Sequence, residues 1–264
     1  MKTGRYLVAA MILLASVAPV WSACELSQTI EIVPQPDIDT EPKFAYGLAD
    51  GSNVFIGRFF VDADGSPKAY HPDNSLALDY IKNAGREGDW WALATDAQNC
   101  GRTGMPLLQG LFDPEPGYYV SMTSMYNPYF EWCGTPARFV NSEIIPYVAL
   151  SPAIRKYDYG LNEGALALVV NLRNGQRSFA LFADQAPPYG FGEGSIALAK
   201  RLGYDHSAKH GGTARRENLF VVFNGTMAFP KDAAEVDTRA EQAFEAWGGE
   251  ARLQDCLVEL KKPR

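Results

Sequence analysis

Two acids stand out by the company they keep. Asp184 ends an otherwise apolar run, Phe179-Ala180-Leu181-Phe182-Ala183. Glu193 follows after Gln185 to Gly192, a loop rich in proline, glycine and aromatic residues. A strand end, an aromatic loop and a helix start would bring both carboxyls to the mouth of one fold. Glycosidic hydrolysis needs such a pair: one protonated acid for the leaving oxygen, and one carboxylate to activate water or attack the sugar. On spacing alone a plainer reading stays open. Asp184 could cap a turn, and Glu193 could simply suit a helix N-terminus.

Other chemistries find little support. Gly192-Glu193-Gly194-Ser195 misplaces the serine of a nucleophile elbow, and neither a phosphate-binding loop nor a dinucleotide fingerprint is present. The histidines are His71, His206 and His210. The last two are four apart, but the Glu of a zinc-binding helix is missing and glycines follow, so a loop is the better reading. Asp62-Ala63-Asp64-Gly65 has the opening of a calcium loop without its later ligands and reads as a turn. No metal and no cofactor are expected.

The elements that must position the acids are mostly strands. Asn53 to Val61 reads as a strand running into the Asp62–Gly65 turn. Asn74 to Ala84 reads as a short helix between Asp73 or Asn74 and Gly85. Trp90-Trp91 opens an extended stretch, and Tyr118 to Thr123 and Ile145 to Leu150 are further strand candidates. Ala165–Leu172 and Ser178–Ala183 form a hairpin pair around Asn174-Gly175, where both turn residues tolerate positive φ. Glu193 to Leu202 reads as a helix closed by Gly203, Leu219 to Phe223 as a buried strand, and Glu235 to Trp247 as a helix closed by Gly248. Strands outnumber helices without βαβ alternation, which predicts an α+β fold around a sheet or barrel.

The chain has 264 residues, 47% of them hydrophobic and 21% charged, enough for one large domain with a normal core. A basic start (Lys2, Arg5), an apolar stretch from Tyr6 to Val20 and the small residue Ser22 predict a signal peptide over residues 1–22, cut before Ala23. Trp21 does not suit lipid attachment at Cys24. Removing the leader takes the net charge from −7 to −9, because the lost charges are Lys2 and Arg5. Such a surface disfavours nucleic acid and is compatible with a cationic polymer. Solubility alone is the plainer explanation. Cys24, Cys100, Cys133 and Cys256 make an even count in an exported chain, which points to two disulfides with three connectivities possible.

The segment Phe179–Asp184, followed by Gly192-Glu193-Gly194-Ser195-Ile196-Ala197-Leu198-Ala199, resembles the core of glycoside hydrolase family 75, the fungal-type chitosanases. Phe60-Val61-Asp62-Ala63-Asp64-Gly65 is similar to that family's D-x-D-G segment. Ile145-Pro146-Tyr147-Val148 is similar to its H-P-Y-V stretch, with Ile145 in place of the histidine. The resemblance spans roughly residues 53–225, with extra segments at Tyr70 to Cys100 and Tyr126 to Phe139. It implies a double-psi β-barrel-like core and inverting, endo-acting hydrolysis of glucosamine linkages by Asp184 and Glu193. The domain plan is then a signal peptide (1–22), an N-terminal arm (23–45) and a catalytic domain (46–264).

Glu193 is assigned as the acid, because Pro188, Tyr189 and Phe191 would desolvate it. A helix N-terminus would oppose this, and the reverse assignment stays open. Asp62 and Asp64 are candidate contacts to sugar amines. Among Trp90, Trp91, Tyr118, Tyr119, Tyr126, Tyr129, Trp132 and Tyr189, the last is the best placed to stack on a sugar, lying between the two acids. The disulfides are expected as Cys100–Cys133, closing a middle insertion, and Cys24–Cys256, tying the chain ends. The protein is expected to be a secreted or periplasmic monomer, with a polysaccharide as partner and no membrane contact after leader removal. Two alternatives on the same scaffold are a peptidoglycan-processing enzyme and a non-catalytic glycan-binding envelope protein.

Overall fold

The structure, a computed structural model, describes residues 24–34, 43–156 and 161–262. The expected leader at 1–22 and part of the expected arm lie outside the described residues. Two strands, β1 (Leu26–Ile32) and β2 (Lys43–Leu48), pair antiparallel and join the sheet through β3 (Asn53–Asp62). The chain then enters a long, mostly irregular stretch whose regular structure includes a small hairpin, β4 (Gly85–Arg86) and β5 (Asp89–Trp90). It returns to the sheet as β6 (Tyr147–Leu150), followed by α1 (Pro152–Lys156), β7 (Ala165–Asn171) and β8 (Arg177–Gln185). The remainder is β9 (Glu193–Ser195), α2 (Ile196–Arg201), β10 (Thr213–Thr226), α3 (Ala233–Trp247) and α4 (Gly249–Leu260).

Six strands close into a barrel in the order β3-β10-β7-β8-β6-β9, with β9 pairing back onto β3. The β3–β9 and β6–β8 pairs are parallel and the other four junctions antiparallel. This is the β-rich, barrel-like α+β core that the resemblance implies. The unbroken apolar run in β10 is explained by burial on both faces. Phe220 and Val222 point into the barrel with Phe55 and Phe59. Leu219, Val221 and Phe223 point outward against Phe244, Trp247 and Leu253 of α3 and α4. The four buried residues of α3, Val236, Ala240, Phe244 and Trp247, fall on one helical stripe. Its Asp232 cap accepts from Glu235 N–H at 2.9 Å.

Both expected disulfides form, Cys24–Cys256 and Cys100–Cys133. They fit an oxidising compartment. Among the described residues no helix is long and apolar enough to cross a membrane.

Four local expectations need correction. Residues 74–84 form no α-helix, only a single 3-10 turn at Ile81–Asn83. Asp73, Asn74 and Asp79 each accept a backbone N–H (Ser75, Ile81 and Tyr80), so side chains compete with the helical ladder. Tyr118–Thr123 makes bridges rather than a strand, such as Leu108 with Tyr119 and Leu93 with Ser121. At the β7–β8 turn only Gly175 takes positive φ (77°), and the loop is longer than two residues because Asn171 N–H donates to Gln176 O. Glu193 does not open a helix. It lies in β9, and Ser195 caps α2 by accepting from Leu198 N–H.

Candidate active site

The acids meet on one wall of a cavity of about 1050 Å³. Asp184 reaches it through an irregularity. Val148 of β6 pairs with Phe182 of β8, but Ala149 pairs with Asp184, so Ala183 is the extra residue of a bulge. The bulge brings Asp184 level with Ala149. Glu193, on the other side of β6, is level with Ala149 too. Asp184 and Glu193 therefore flank one residue at two strand spacings, about 9.5 Å between Cα atoms.

Glu193 is delivered by a tight approach of chains. Arg58 N–H donates to Phe191 O and Phe60 N–H to Gly192 O, which zips the loop onto β3. Gly192 has φ +110°, and a Cβ there would sit 1.9 Å from Arg58 O, so only glycine fits. A second glycine does the same across the cavity. Gly65 has φ +78° and packs on Val140 O, which turns Asp62-Ala63-Asp64 inward at the end of β3. Asp64 N–H donates to Asp62 Oδ1 at 2.8 Å, and Gly65 N–H donates to Ser121 Oγ.

The structure thus brings together four of the acids picked out from the sequence. Asp62, Asp64 and Asp184 have carboxylate oxygens within 4.8 Å of one another. Such an all-oxygen set suits a hard cation or a ligand ammonium. Asp62 and Asp184 are buried, Asp64 and Glu193 partly so. Burial pushes the Asp62 carboxyl up to about 6. Asp184 and Glu193 lie well above the ordinary carboxylate range, first through burial and then through the Asp62 charge. Asp64 is raised by burial, then by Asp62 and Asp184. Several like charges in one dry site cannot all ionise near neutrality, so the cluster retains protons.

Hydrogen bonding separates the two central acids. Asp184 Oδ1 accepts the backbone N–H groups of Ser124 (2.9 Å) and Gln185 (2.7 Å), which favour its anion. Glu193 has no hydrogen-bond partner among the described residues, and nothing local offsets its desolvation. The dipole of α2 does not act on it as a first-turn residue, because the helix starts at Ile196.

Tyr189 stands on the rim, 38% exposed, in a loop pinned by Lys43 Nζ to Tyr189 O and Ser151 Oγ to Pro188 O. Trp91 and Tyr126 also line the cavity, whereas Trp90, Tyr118, Tyr119, Tyr129 and Trp132 do not. His210 is occupied by a turn, with Ser207 Oγ at 3.0 Å and Asp205 nearby.

Three lining or supporting residues escaped sequence reasoning. Tyr70 Oη donates to Asp64 Oδ1 at 2.6 Å. Tyr147 Oη donates to Asp64 O at 2.9 Å and also bonds the Asp62 carboxyl. Asp79 lines the cavity from a segment read as helix. Tyr147 carried a usable signal, since it sits in the Pro-Tyr-Val stretch; Tyr70 and Asp79 carried none. Basic side chains reach the cavity as well: Arg58, Lys82, Arg102 and Arg138.

Residues 117–254 match a family described as fungal chitosanase of glycosyl hydrolase group 75. The matched span begins and ends later than the stretch read from the sequence. It holds β6 to β10, Asp184, Glu193 and Tyr147, while Asp62, Asp64 and Asp79 precede it. A comparison with curated proteins finds no match.

Proposed function

Since this chain belongs to the chitosanase-type glycoside hydrolases of group 75, we propose that it is a secreted, endo-acting enzyme that cleaves β-1,4 glucosamine linkages of chitosan with inversion. One observation carries the reading. Asp184 and Glu193 flank Ala149 from opposite strands, one accepting two backbone N–H bonds and the other bare. Carboxyls borne on Cα atoms about 9.5 Å apart can span the roughly 6.5–9.5 Å that leaves room for a water.

In this mechanism a glucosamine chain lies along the cavity with its scissile bond between the two acids. Protonated Glu193 gives its proton to the glycosidic oxygen as the bond to the anomeric carbon breaks. A water on the opposite face attacks that carbon and passes a proton to Asp184. The products are two shorter chains, one with a new, inverted reducing end. A proton then returns from Asp184 to Glu193 through solvent. Asp62 and Asp64 face sugar amines, and Tyr189 offers a ring at the rim. The leader at 1–22 and the two disulfides support export.

Peptidoglycan is the second reading, favoured by Arg58, Lys82, Arg102 and Arg138 around the cavity. A substrate bearing carboxylates would use those cations, and a lytic enzyme can work with one acid. The test is to offer purified protein chitosan, chitin, cellulose and peptidoglycan and to measure new reducing ends, with Asp184→Asn and Glu193→Gln alongside. Release from chitosan, lost in both variants, is expected. Turnover of peptidoglycan alone, with Asp184 dispensable, would replace the proposal with the second reading.

A further inference from the structure

Asp79 is only 6% exposed, yet it lines the cavity. It is held rigidly there. Leu78 and Asp79 N–H groups donate to Lys68 O and Ala69 O, which laces the segment to the chain just after the Asp62–Gly65 turn. Oδ1 accepts Tyr80 N–H at 2.7 Å and Asn83 Nδ2 at 2.8 Å. Oδ2 has no hydrogen-bond or ion-pair partner among the described residues, and Asp79 lines the cavity. The nearby Lys209 and Lys82 act on Asp79 through their charges, and neither donates a hydrogen bond to it. Lys82 and Lys209 lie over the Tyr80 ring at 5.3 Å each, and Lys209 donates to Asn74 O. Asp79 is not one of the three acids whose oxygens gather within 4.8 Å, although its charge is felt at Asp62, Asp64 and Glu193. It also precedes the family-matched residues 117–254.

A buried carboxylate presenting one unpaired oxygen calls for a cationic donor, since an unmatched charge is costly there. We infer that Asp79 is a specificity-determining residue that receives the 2-ammonium group of a glucosamine unit beside the one being cleaved. This rests on the proposed glycosidase function. An N-acetylated unit offers no cation and places a methyl group against the carboxylate.

Asp79→Asn keeps the Oδ1 acceptor and removes the charge. With a glucosamine hexamer, its KM should rise about 10- to 100-fold while kcat changes less than about threefold. The preference over a half-acetylated hexamer should shrink by the same factor, an effect that a turn-holding role would not produce. Unchanged KM and selectivity in a folded variant overturn the inference. If the variant does not fold, the wild-type protein supplies the readout through hexamers acetylated at one unit each. Acetylation of a single unit next to the cleaved one should cost about 10- to 100-fold in kcat/KM; a flat profile overturns the inference while leaving the glycosidase reading standing. If the wild-type protein neither binds nor cleaves the glucosamine hexamer, that reading fails and this inference falls with it.

Discussion

Asp62→Asn tests the electrostatics of the site at one stroke. Burial pushes the Asp62 carboxyl up to about 6, and after burial its charge is the leading one that raises Asp184 and Glu193. The Asp62 and Asp184 oxygens lie within 4.8 Å of each other, and at an effective dielectric of about 20 two charges that close repel by about 3.5 kcal/mol or more. Removing the Asp62 charge should therefore shift both limbs of the kcat/KM profile clearly toward acid. Stability should respond too, and its sign follows from linkage. Below pH 3.8 Asp62 is protonated in folded and unfolded chains alike and costs nothing. Between pH 3.8 and about 6 the unfolded chain ionises this carboxyl while the folded chain holds its proton, so the fold loses about 3 kcal/mol, all of it gone above about 6. Asparagine escapes that cost and still accepts Asp64 N–H, but weakens the Tyr147 bond by about 1 kcal/mol. The variant should lie about 1 kcal/mol below the parent near pH 3 and about 2 kcal/mol above it at pH 8, by the same balance. Reducing-end rates on a soluble glucosamine oligomer and urea unfolding at both pH values provide the measurements. Limbs that stay within about 0.3 pH unit, with no pH-dependent gain in stability, would refute the coupled-carboxylate account.

Further expectations concern the acid pair, the loop and the bridges. Glu193→Gln and Asp184→Asn should each lower kcat by about 10²- to 10⁴-fold with circular dichroism unchanged; a folded variant near the parental rate would remove the two-carboxylate mechanism. Gly192→Ala should abolish activity and lower the Tm, because its Cβ would meet Arg58 O at 1.9 Å; parental activity would show that the approach is not needed. Replacing Cys24 and Cys256 by serine should cost about 2–4 kcal/mol in urea titrations and leave KM unchanged, whereas opening Cys100–Cys133, whose half-cystines line the cavity, should raise KM as well. Cleavage should be faster on deacetylated chitosan than on chitin and should weaken with added salt; equal rates on both polymers would contradict the amine contacts.

Local chemistry made much of the chain readable. The strand at Asn53, the hairpin strands around Asn174-Gly175, the buried run at Leu219 and the helix ending at Gly248 all announce themselves through periodicity and stop signals within a few residues. The Asp184 and Glu193 motifs are local too, and so the family was legible from them. What fails is anything decided by partners distant in sequence. Residues 74–84 look helical until Tyr118 Oη is seen to donate to Leu76 O and Lys209 Nζ to Asn74 O. Glu193 looks like a helix start until β3 and β6 claim it from either side.

The sequence by itself determined which residues could do chemistry, that the fold is β-rich, and that four cysteines would make two bridges. The tertiary structure alone decided the distance and the electrostatics. A one-residue bulge at Ala183 sets Asp184 level with Glu193, and two glycines let backbones approach closely enough to gather four acids. Carboxyl pKa values depend on burial and on like charges a few ångströms away, and both are properties of chain segments that meet only when the barrel closes.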